Sequence, residues 1–567
     1  HKRLLEWTTA AQSDASSSDG IGGYVFKNLF SSVIGVFVFV FSGDGFARLF
    51  GLSWFFLPAV AYFCAECKNN TISDNAPDKD ELKTVNEYAK DIWSFFENTV
   101  TAKENYLPPD NIQLFPEMRT AHRTSPTNIG LYLVSAVIAR KFGFINSDEL
   151  CARLENSLCT LEKMQKFKGH LYNWYDTKTL GVLEPVYVSS VDSGNFLACL
   201  ITASNGAAEY KNECAKLEDI AERLYALYEN TDLEVIYNKK RGLFTLGLSF
   251  ENGMAKFGDN CYDLYMSEAR TLSYIACAKR GVPPKHWKRL SRMPVKFYGH
   301  TGLVSWSGTA FEYFMPTLFL PYMPCTLEYE ALRLAHDAQK SRSAETDFGK
   351  IFGISESAYF AFDSQMNYAY RAFGVPILGL GRGLEKDLVI SPYSAFLMMN
   401  VNLSGSLKNL AVMKKYGLYG RYGFYEACDF TPGRASAKGS IVKSYMAHHM
   451  GMSFCALANA AFCGEVSRLF TADKAMESAK TLLDERIPVG IEVRKYSGIY
   501  EKTDKTDAVP ICVQSRVSTD ADSENPVFGA LSDGRISVLG ADNGYVRISL
   551  GGKMINLASN EKYGIRK

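Results

Sequence analysis

Between about residues 80 and 500 the sequence alternates amphipathic segments with clusters of Gly, Pro and Asn. In segments such as 81–96, 147–168 and 404–416, apolar side chains recur every three or four residues, which places them on one face of an α-helix. A long succession of such helices indicates a helical toroid better than a sheet protein. We therefore predict a mainly α fold for residues 80–500.

Two apolar stretches precede this region. Tyr24–Ser42 contains a single Lys and approaches the ~20 residues that cross a bilayer, and Leu49–Cys64 is shorter and contains Pro58. We interpret the pair as a transmembrane helical hairpin within residues 23–68. The basic residues on both sides of it then predict a leader, residues 1–22, that faces the cytoplasm. The sequence thus predicts the lipid bilayer as a partner, and an inner-membrane location with the helical region in the cytoplasm.

Charge and cysteine content limit the remaining function classes. The formal net charge is +1, so the chain lacks the basic surplus that binding a nucleic acid backbone requires. The 13 cysteines are odd in number and loosely spaced, which argues against a disulfide scaffold and indicates a reducing compartment. No nucleic acid partner is expected.

The C-terminal residues change to a different pattern. After a polar linker, Glu501–Asp507, short alternating runs are separated by Asp-Gly and Asn-Gly turn signals. This pattern predicts the beginning of a β-rich module over residues 508–567.

Motifs for nucleotide and metal chemistry are missing from the sequence. It contains no GxxxxGK[ST] phosphate loop, no HExxH helix, no GxSxG elbow and no EF-hand loop. His448 and His449 are adjacent, so on a helix they point about 100 degrees apart and would not meet at one metal ion. We expect neither a cofactor nor a metal.

Candidate chemistry therefore depends on carboxylates in aromatic, small-residue surroundings. Glu312 lies in SWSGTAFEYFMP, where Thr309 precedes it at the spacing of a capping box, so it could simply close a helix turn. Glu356 lies in FGISESAYFAFD, where a helix is expected to begin. Its apolar neighbours would raise the carboxyl pKa towards the range of a general acid.

Glu426 is the third candidate, in GRYGFYEACDFTPGR. A salt bridge to Arg421 or Arg434 is an equally good interpretation of this acid. Glycoside chemistry requires two carboxyls on either side of one bond, and the sequence does not supply their separation.

Several long strings resemble one known family in the same order. They are RTSPTNIGLYLVSAVIARKFGFI, GHLYNWYDTKTL, YVSSVDSGN, YDLYMSEAR, SWSGTAFEYFMP, GISESAY, FGVPILGLGRGL, GRYGFYEACDFTP and VKSYMAHHMGMS. They resemble the glycoamylase-like central region of cyclic β-1,2-glucan synthases. The resemblance extends from residue 1 to about residue 488.

The resemblance implies an (α/α)6 barrel that cleaves linear β-1,2-glucan and closes it into a ring by transglycosylation with retention. Matched by motif, Glu356 would be the acid/base, Glu426 the nucleophile, and Glu312 a substrate-binding residue or a substitute for one of them. The same motifs supply the expected substrate-binding residues, which are Trp174, Tyr187, Asp192, Asn195, Trp306, Tyr359, Tyr393, Tyr425 and His449.

Two positions depart from the family pattern. Phe352 stands where a Trp is expected, and Met450 stands where a Gln is expected. A glycosyltransferase half is absent, so linear glucan would come from a glycosyltransferase module or subunit as a partner. Two other functions stay open, namely an inverting β-1,2-glucanase and a non-catalytic barrel that binds glucan as a scaffold.

Overall fold

The structure of the chain is a computed structural model. It describes residues 25–26, 28–66, 77–251, 253–279, 281–297, 300–344, 351–381, 383–436, 438–486, 494–495, 528–532, 536–541, 546–550 and 553–558. The predicted leader and the linker Glu501–Asp507 lie outside the described residues. The chain divides into two compact units, residues 1–74 and residues 75–567, which are described separately.

The first unit contains a hairpin of two helices, α1 (Leu29–Phe41) and α2 (Gly45–Glu66). The helices approach each other closely. A Cβ atom added to Gly35 would lie only 2.6 Å from the backbone oxygen of Gly51. Helix α1 has 13 residues. It therefore rises roughly 20 Å, short of the ~30 Å hydrocarbon core. Helix α2 has 22 residues but includes Pro58.

Among the residues of the described ranges, no helix is both long and apolar enough to cross a membrane. The predicted transmembrane hairpin is therefore wrong, because α1 has 13 residues and no helix of the described ranges meets both requirements. The predicted bilayer partner and inner-membrane location depended on this hairpin.

The second unit is built mainly of helices. In chain order they are α3 (Lys79–Thr99), α4 (Pro126–Lys141), α5 (Ser147–Lys163), α6 (Ser190–Glu209), α7 (Lys216–Glu229), α8 (Arg270–Ala278), α9 (Lys285–Arg289), α10 (Ala310–Phe314), α11 (Leu327–Ala344), α12 (Pro392–Leu397), α13 (Leu403–Lys415), α14 (Ala447–Ala461), α15 (Glu465–Thr471) and α16 (Lys474–Ser478).

These helices form an inner and an outer set. The inner helices α4, α6 and α8 pack in sequence, α10, α12 and α14 pack in sequence, and α14 returns to α4. A hydrogen bond from Arg270 at the start of α8 to the backbone oxygen of Tyr313 in α10 links the two series. Helices α3, α5, α7, α9, α11 and α13 each pack outside an inner helix.

The sequence explains which helices lie inside. Helix α4 is apolar or small on every side and is buried along nearly its whole length, whereas α3 buries one face only. Glycines allow the inner helices to approach each other. A Cβ atom on Gly130 would lie 2.8 Å from the Cβ of Cys199, and one on Gly194 would lie 2.5 Å from the Cβ of Leu272.

Short strands connect the helices. They are β1 (Asn111–Gln113), β2 (Arg119–Thr120), β3 (Arg123–Thr124), β4 (Asn173–Asp176), β5 (Val182–Ser189), β6 (Tyr237–Asn238), β7 (Leu243–Phe244), β8 (Gly247–Glu251), β9 (Met254–Phe257), β10 (Pro294–Phe297), β11 (His300–Leu303), β12 (Ser357–Phe362), β13 (Tyr368–Arg371), β14 (Val389–Ile390), β15 (Tyr419–Gly420), β16 (Gly423–Phe424), β17 (Ala427–Asp429), β18 (Ser440–Val442), β19 (Ser444–Met446), β20 (Arg494–Lys495), β21 (Phe528–Ser532), β22 (Ile536–Ala541), β23 (Val546–Leu550) and β24 (Lys553–Ala558).

Three strand pairings position the site. β1 pairs with β19, which leads directly into α14, and β12 forms an antiparallel hairpin with β13. A five-stranded sheet has the order β3-β4-β5-β8-β9, and β5 runs into α6. Near the C-terminus, β21 to β24 form an antiparallel sheet in chain order within the region predicted to be β-rich.

The structure confirms some of the predicted helices and contradicts the one that was expected to begin near Glu356. The segment 81–96 lies inside α3, and 404–416 nearly coincides with α13. The motif YVSSVDSGN forms the end of β5 and the first turns of α6. Glu356 does not begin a helix. It lies at a bend just before β12, because the residues that follow it pair with β13 and do not form a helix.

Candidate active site

The beginnings of the inner helices meet at one end of the ring and bring polar side chains together there. Asn195 of α6 donates to the hydroxyl of Thr127 in α4 (3.3 Å), and the Tyr393 ring of α12 stacks on His449 of α14. The acids Glu268 and Glu312 lie at the beginnings of α8 and α10. This end of the ring is therefore the candidate site.

Glu312 is held tightly at the beginning of α10. Its carboxylate accepts hydrogen bonds from the Ser305 hydroxyl (2.8 Å), the Ser307 N–H (2.9 Å) and the Thr309 N–H (2.9 Å). The predicted capping box of Thr309 and Glu312 is confirmed. Burial raises the pKa of Glu312, and these hydrogen bonds oppose the increase. Its oxygens are largely occupied by this cap.

Two further carboxyls lie close enough to Glu312 for their charges to interact. Burial raises the pKa of Glu356 to about 8, and the negative charges of Glu268 and Glu312 contribute to the increase. Burial likewise raises the pKa of Glu268 to about 7, with Glu312 contributing, while hydrogen bonds from Ser267 and Tyr262 oppose it. We call these three acids the carboxyl cluster, and the raised pKa values of Glu268 and Glu356 lie near neutral pH.

The backbone before Glu356 is fixed against α10. The Ala310 N–H donates to the carbonyl of Ile354 (3.0 Å), and the Phe311 N–H donates to the Ser355 hydroxyl (2.9 Å). The Tyr393 hydroxyl lies 2.7 Å from the Ser355 Oγ. These contacts explain why Glu356 and Glu312 lie together although they are 44 residues apart in the chain.

Glu426 has different partners. Its Oε1 accepts the N–H of Ala358 (3.1 Å), and its Oε2 lies 2.9 Å from Nδ1 of His449. Burial raises the pKa of Glu426 to about 8, with His448 opposing the increase. Neither Arg421 nor Arg434, the two partners that the sequence suggested, forms an ion pair with Glu426 among the described residues.

A second polar group surrounds Asp110, just before β1. Asp110 is buried and accepts hydrogen bonds from Arg123 (3.1 Å), Asn128 (3.1 Å) and Asn111 (3.1 Å). The guanidinium of Arg123 lies 4.7 Å from the ring centre of Trp174. The predicted substrate-binding residue Trp174 is therefore placed beside an ion pair in which Asp110 is buried and Arg123 is half exposed.

Two other predicted residues, Tyr187 and Asp192, influence the pKa of Tyr262, whose side chain forms a hydrogen bond to Glu268. Burial raises the pKa of Tyr262 well above its usual value, with the charges of Glu268, Tyr187, Glu356 and Asp192 contributing. The predicted substrate-binding residues Tyr187, at the end of β5, and Asp192, at the beginning of α6, therefore lie near Glu268 and Glu356.

The remaining predicted residues differ in their exposure. Trp306 is half exposed beside the Glu312 loop, whereas Asn195 is buried. The ring of Tyr359 is covered by the guanidinium groups of Arg371 and Arg434, at 5.1 and 4.5 Å from its centre. Such a ring is a poor platform for a sugar.

Tyr393, Tyr425 and His449 line one small cavity together with Glu426. The two positions that depart from the family pattern, Phe352 and Met450, are both buried. The Phe352 ring packs edge-on against His336, with ring centres 5.9 Å apart. Phe352 therefore belongs to the core and not to a surface that a sugar could contact.

Sequence reasoning did not single out Glu268 or Asp110. Glu268 lies in the motif YDLYMSEAR, two residues before α8 begins, and its position before an inner helix was the available signal. Asp110 gave no such signal, because two of its three partners, Arg123 and Asn128, lie 13 and 18 residues further along the chain. Within the described ranges, no three His, Cys, Asp or Glu side chains are arranged to hold a metal ion.

Comparisons with known proteins agree with this architecture. Residues 260–473 match the Glycoamylase family model, described as "Putative glucoamylase". Residues 87–237 match a second family model, described as a protein of unknown function (DUF3131). The segment that matches the Glycoamylase model includes Glu268, Glu312, Glu356 and Glu426.

One curated relative is the cyclic β-(1,2)-glucan synthase NdvB of Rhizobium meliloti (strain 1021). It is 30% identical over 669 aligned positions, which cover 95% of this chain and 23% of that protein. The chain thus spans about a quarter of the length of this relative. The resemblance to cyclic β-1,2-glucan synthases that the motifs indicated is confirmed.

Solved structures share the fold at low identity. An endo-β-1,2-glucanase from Chitinophaga pinensis is 17% identical, with a TM-score of 0.58 over 72% of this chain and 99% of that chain. An endo-β-1,2-glucanase from Talaromyces funiculosus, in complex with sophorose, is 15% identical, with a TM-score of 0.57 over 71% of this chain and 88% of that chain.

Proposed function

We propose that this chain is a glycoside-hydrolase-type enzyme that cleaves β-1,2-glucan at the carboxyl cluster. The observation that carries the proposal is the proximity of Glu268, Glu312 and Glu356 at the end of the ring where the inner helices begin, within the segment that matches the Glycoamylase model. The names of the related synthase and of the structurally similar glucanases supply the substrate class.

Two of these carboxyls are suited to the chemistry. Glycosidic cleavage requires one carboxyl that donates a proton to the leaving oxygen and a second, ionised carboxylate. Glu312 is occupied by its capping hydrogen bonds, so the geometry favours Glu268 and Glu356 as the pair. Glu356 has the higher pKa, which favours it as the acid/base, the role that the family resemblance also implies.

We further propose that the reaction is transglycosylation with retention. The acid protonates the glycosidic oxygen while the second carboxylate attacks the anomeric carbon, so the C–O bond to the leaving chain breaks as a glycosyl–enzyme bond forms. The resulting base then takes the proton of an incoming hydroxyl, whose oxygen displaces the enzyme carboxylate. When that hydroxyl belongs to the non-reducing end of the bound chain, the product is a ring. A glycosyltransferase module or subunit would supply the linear glucan.

Product analysis tests this proposal. The intact chain would be incubated with linear β-1,2-glucan, and the products identified by mass and by the anomeric signals in NMR. We expect rings, each lighter by one water than the linear glucan of equal length, without an added donor. Linear products alone, with inverted anomeric configuration, would contradict transglycosylation.

Hydrolysis is the second candidate function, because both structurally similar proteins named above are endo-β-1,2-glucanases. In that case water takes the place of the sugar hydroxyl, and new reducing ends accumulate in step with cleavage. A chain that binds glucan and releases no product at all would instead be a scaffold.

A further inference from the structure

Glu426 is buried directly behind the strand that follows Glu356. Only 4% of its surface is exposed, and both carboxyl oxygens have partners within the protein. Oε1 accepts the N–H of Ala358 (3.1 Å), and Oε2 lies 2.9 Å from Nδ1 of His449. A carboxyl with both oxygens engaged in this way is poorly placed to attack a sugar.

Tyr393 connects the same group to Glu356 from the other side. Its ring stacks on the imidazole of His449, with ring centres 3.6 Å apart and planes 9° apart. Its hydroxyl lies 3.0 Å from the backbone carbonyl oxygen of Glu356, to which it can donate. A chain of contacts therefore leads from Glu356 back to the strand that follows it, through Tyr393, His449, Glu426 and Ala358. These last four residues are all buried.

We propose that Glu426 is a positioning residue that, with His449 and Tyr393, fixes the backbone on both sides of Glu356. The proposal rests on the proposed function in one respect, namely that Glu356 acts on the substrate. One contact holds the carbonyl of Glu356 and another holds the N–H two residues later. Catalytic carboxyls must be held within about 0.5 Å of their productive position, which such contacts provide.

The protonation states agree with this role. Burial lowers the pKa of His449 to about 3 and raises that of Glu426 to about 8. Near neutral pH both groups are therefore uncharged, and Glu426 can donate its proton to Nδ1 of His449. A nucleophile, in contrast, would have to be an ionised carboxylate at this pH.

Two substitutions at Glu426 separate positioning from direct catalysis. In Glu426→Gln the amide oxygen can still accept the Ala358 N–H, and the amide NH2 can still donate to His449. Glu426→Ala loses both contacts. We expect Glu426→Gln to keep at least a tenth of the wild-type kcat on linear β-1,2-glucan. Glu426→Ala should lose about 100-fold or more in kcat, with KM within threefold of wild type.

The expected loss in kcat without a change in KM separates positioning from a merely structural role, and two further readouts accompany it. Azide is added to Glu426→Ala, because small anions replace a missing nucleophile and yield a glycosyl azide. We expect no rescue and no azide product. Amide hydrogen exchange at Ala358 should be about 100-fold faster in Glu426→Ala than in the wild type and little changed in Glu426→Gln, whether or not the chain turns over glucan.

Two further variants test whether a loss of activity reflects a general loss of folding. Glu465→Ala removes a carboxyl that is also 4% exposed and pairs with Lys141 and Arg468, outside the carboxyl cluster, and should leave kcat unchanged. Tyr393→Phe keeps the ring but removes the hydroxyl at Glu356. It should lower kcat about tenfold without changing KM, even if Glu426→Ala does not fold.

Several results would overturn the positioning role. The first is that Glu426→Gln and a folded Glu426→Ala are equally inactive, and the second is that azide rescues Glu426→Ala. Full activity of Glu426→Ala or of Tyr393→Phe would also contradict the role. So would amide exchange at Ala358 that is unchanged in Glu426→Ala. If the wild type releases no product from linear glucan, the proposed function fails, and the exchange experiment still decides whether Glu426 holds this strand.

Discussion

The indole nitrogen of Trp306 donates a hydrogen bond to a carboxylate oxygen of Asp263 (2.8 Å). This bond fixes the plane of a ring that is 48% exposed, beside the loop in which Ser305 and Ser307 bind Glu312. An exposed aromatic ring held in one orientation next to buried carboxyls is a suitable platform for a sugar ring.

We expect Trp306→Ala to raise the KM for linear β-1,2-glucan by about two- to tenfold, since an aromatic contact contributes about 0.5–1.5 kcal/mol and each 1.4 kcal/mol is tenfold in affinity. Trp306→Phe should lie closer to the wild type because it retains a stacking face. Asp263→Ala should raise KM less than Trp306→Ala, because the ring remains but is no longer fixed. Initial rates over a range of glucan concentrations would measure these effects, and an unchanged KM in Trp306→Ala would remove this residue from the site.

Glu356→Gln and Glu268→Gln should each lower kcat/KM by about 10²- to 10⁴-fold or more, since each removes a carboxyl that the chemistry requires. Glu218→Gln is the control, because Glu218 is an exposed acid that pairs with Lys211 at the surface. Azide assigns the two roles, because it should rescue the variant that lacks the nucleophile and invert the anomeric configuration of the azide product. Wild-type rates in Glu268→Gln would exclude Glu268 from the reaction.

The pH dependence of kcat/KM should be bell-shaped with a maximum between about 7 and 8. Burial and the neighbouring acids raise the pKa of Glu356 to about 8, so the proton donor is lost above that pH. Burial and Glu312 raise the pKa of Glu268 to about 7, so the ionised carboxylate is lost below that pH. Rates measured from pH 5 to pH 10 would test this, and a maximum at pH 5 would contradict the proposed pair.

The same burial should make stability depend on pH at Glu356. The pKa of this group is raised above its unfolded value of 4.5 to about 8, so the folded chain retains a proton that the unfolded chain releases. Stability from this group is present below about pH 4.5 and is lost as pH rises through about 8. Glu356→Gln cannot ionise, and its Tm relative to the wild type should be roughly 2 °C higher at pH 8 than at pH 5. Equal differences at both values would contradict the assignment.

A buried ion pair links an inner helix to an outer one. Arg270 of α8 and Glu328 of α11 lie 2.7 Å apart, and both side chains are 0% exposed. Glu328→Gln should lower the free energy of unfolding by about 3 kcal/mol, because it leaves a buried guanidinium without its counter-charge. The exposed pair of Lys211 and Glu218 provides the control, where Glu218→Gln should cost less than about 1 kcal/mol. Urea unfolding would measure both.

Local patterns allowed part of this molecule to be predicted. The capping box of Thr309 and Glu312 and the helices near residues 81–96 and 404–416 depend on neighbours within a few residues, and they are visible in the sequence. The order of long motifs gave the family resemblance. The apolar run Tyr24–Ser42 was misinterpreted as half of a transmembrane hairpin because composition alone does not fix the length of a helix, and α1 (Leu29–Phe41) has 13 residues.

The amphipathic helices and the acids in apolar surroundings can thus be recognised from the amino-acid order. Which acids lie together depends on the folded arrangement of the helices. Glu356 lies with Glu268, which precedes it by 88 residues, whereas Glu426 is bound by His449 and Ala358. The physical reason is that these contacts form only when the inner helices pack into a ring, and the pKa of each carboxyl depends on burial and on charges that no local pattern records.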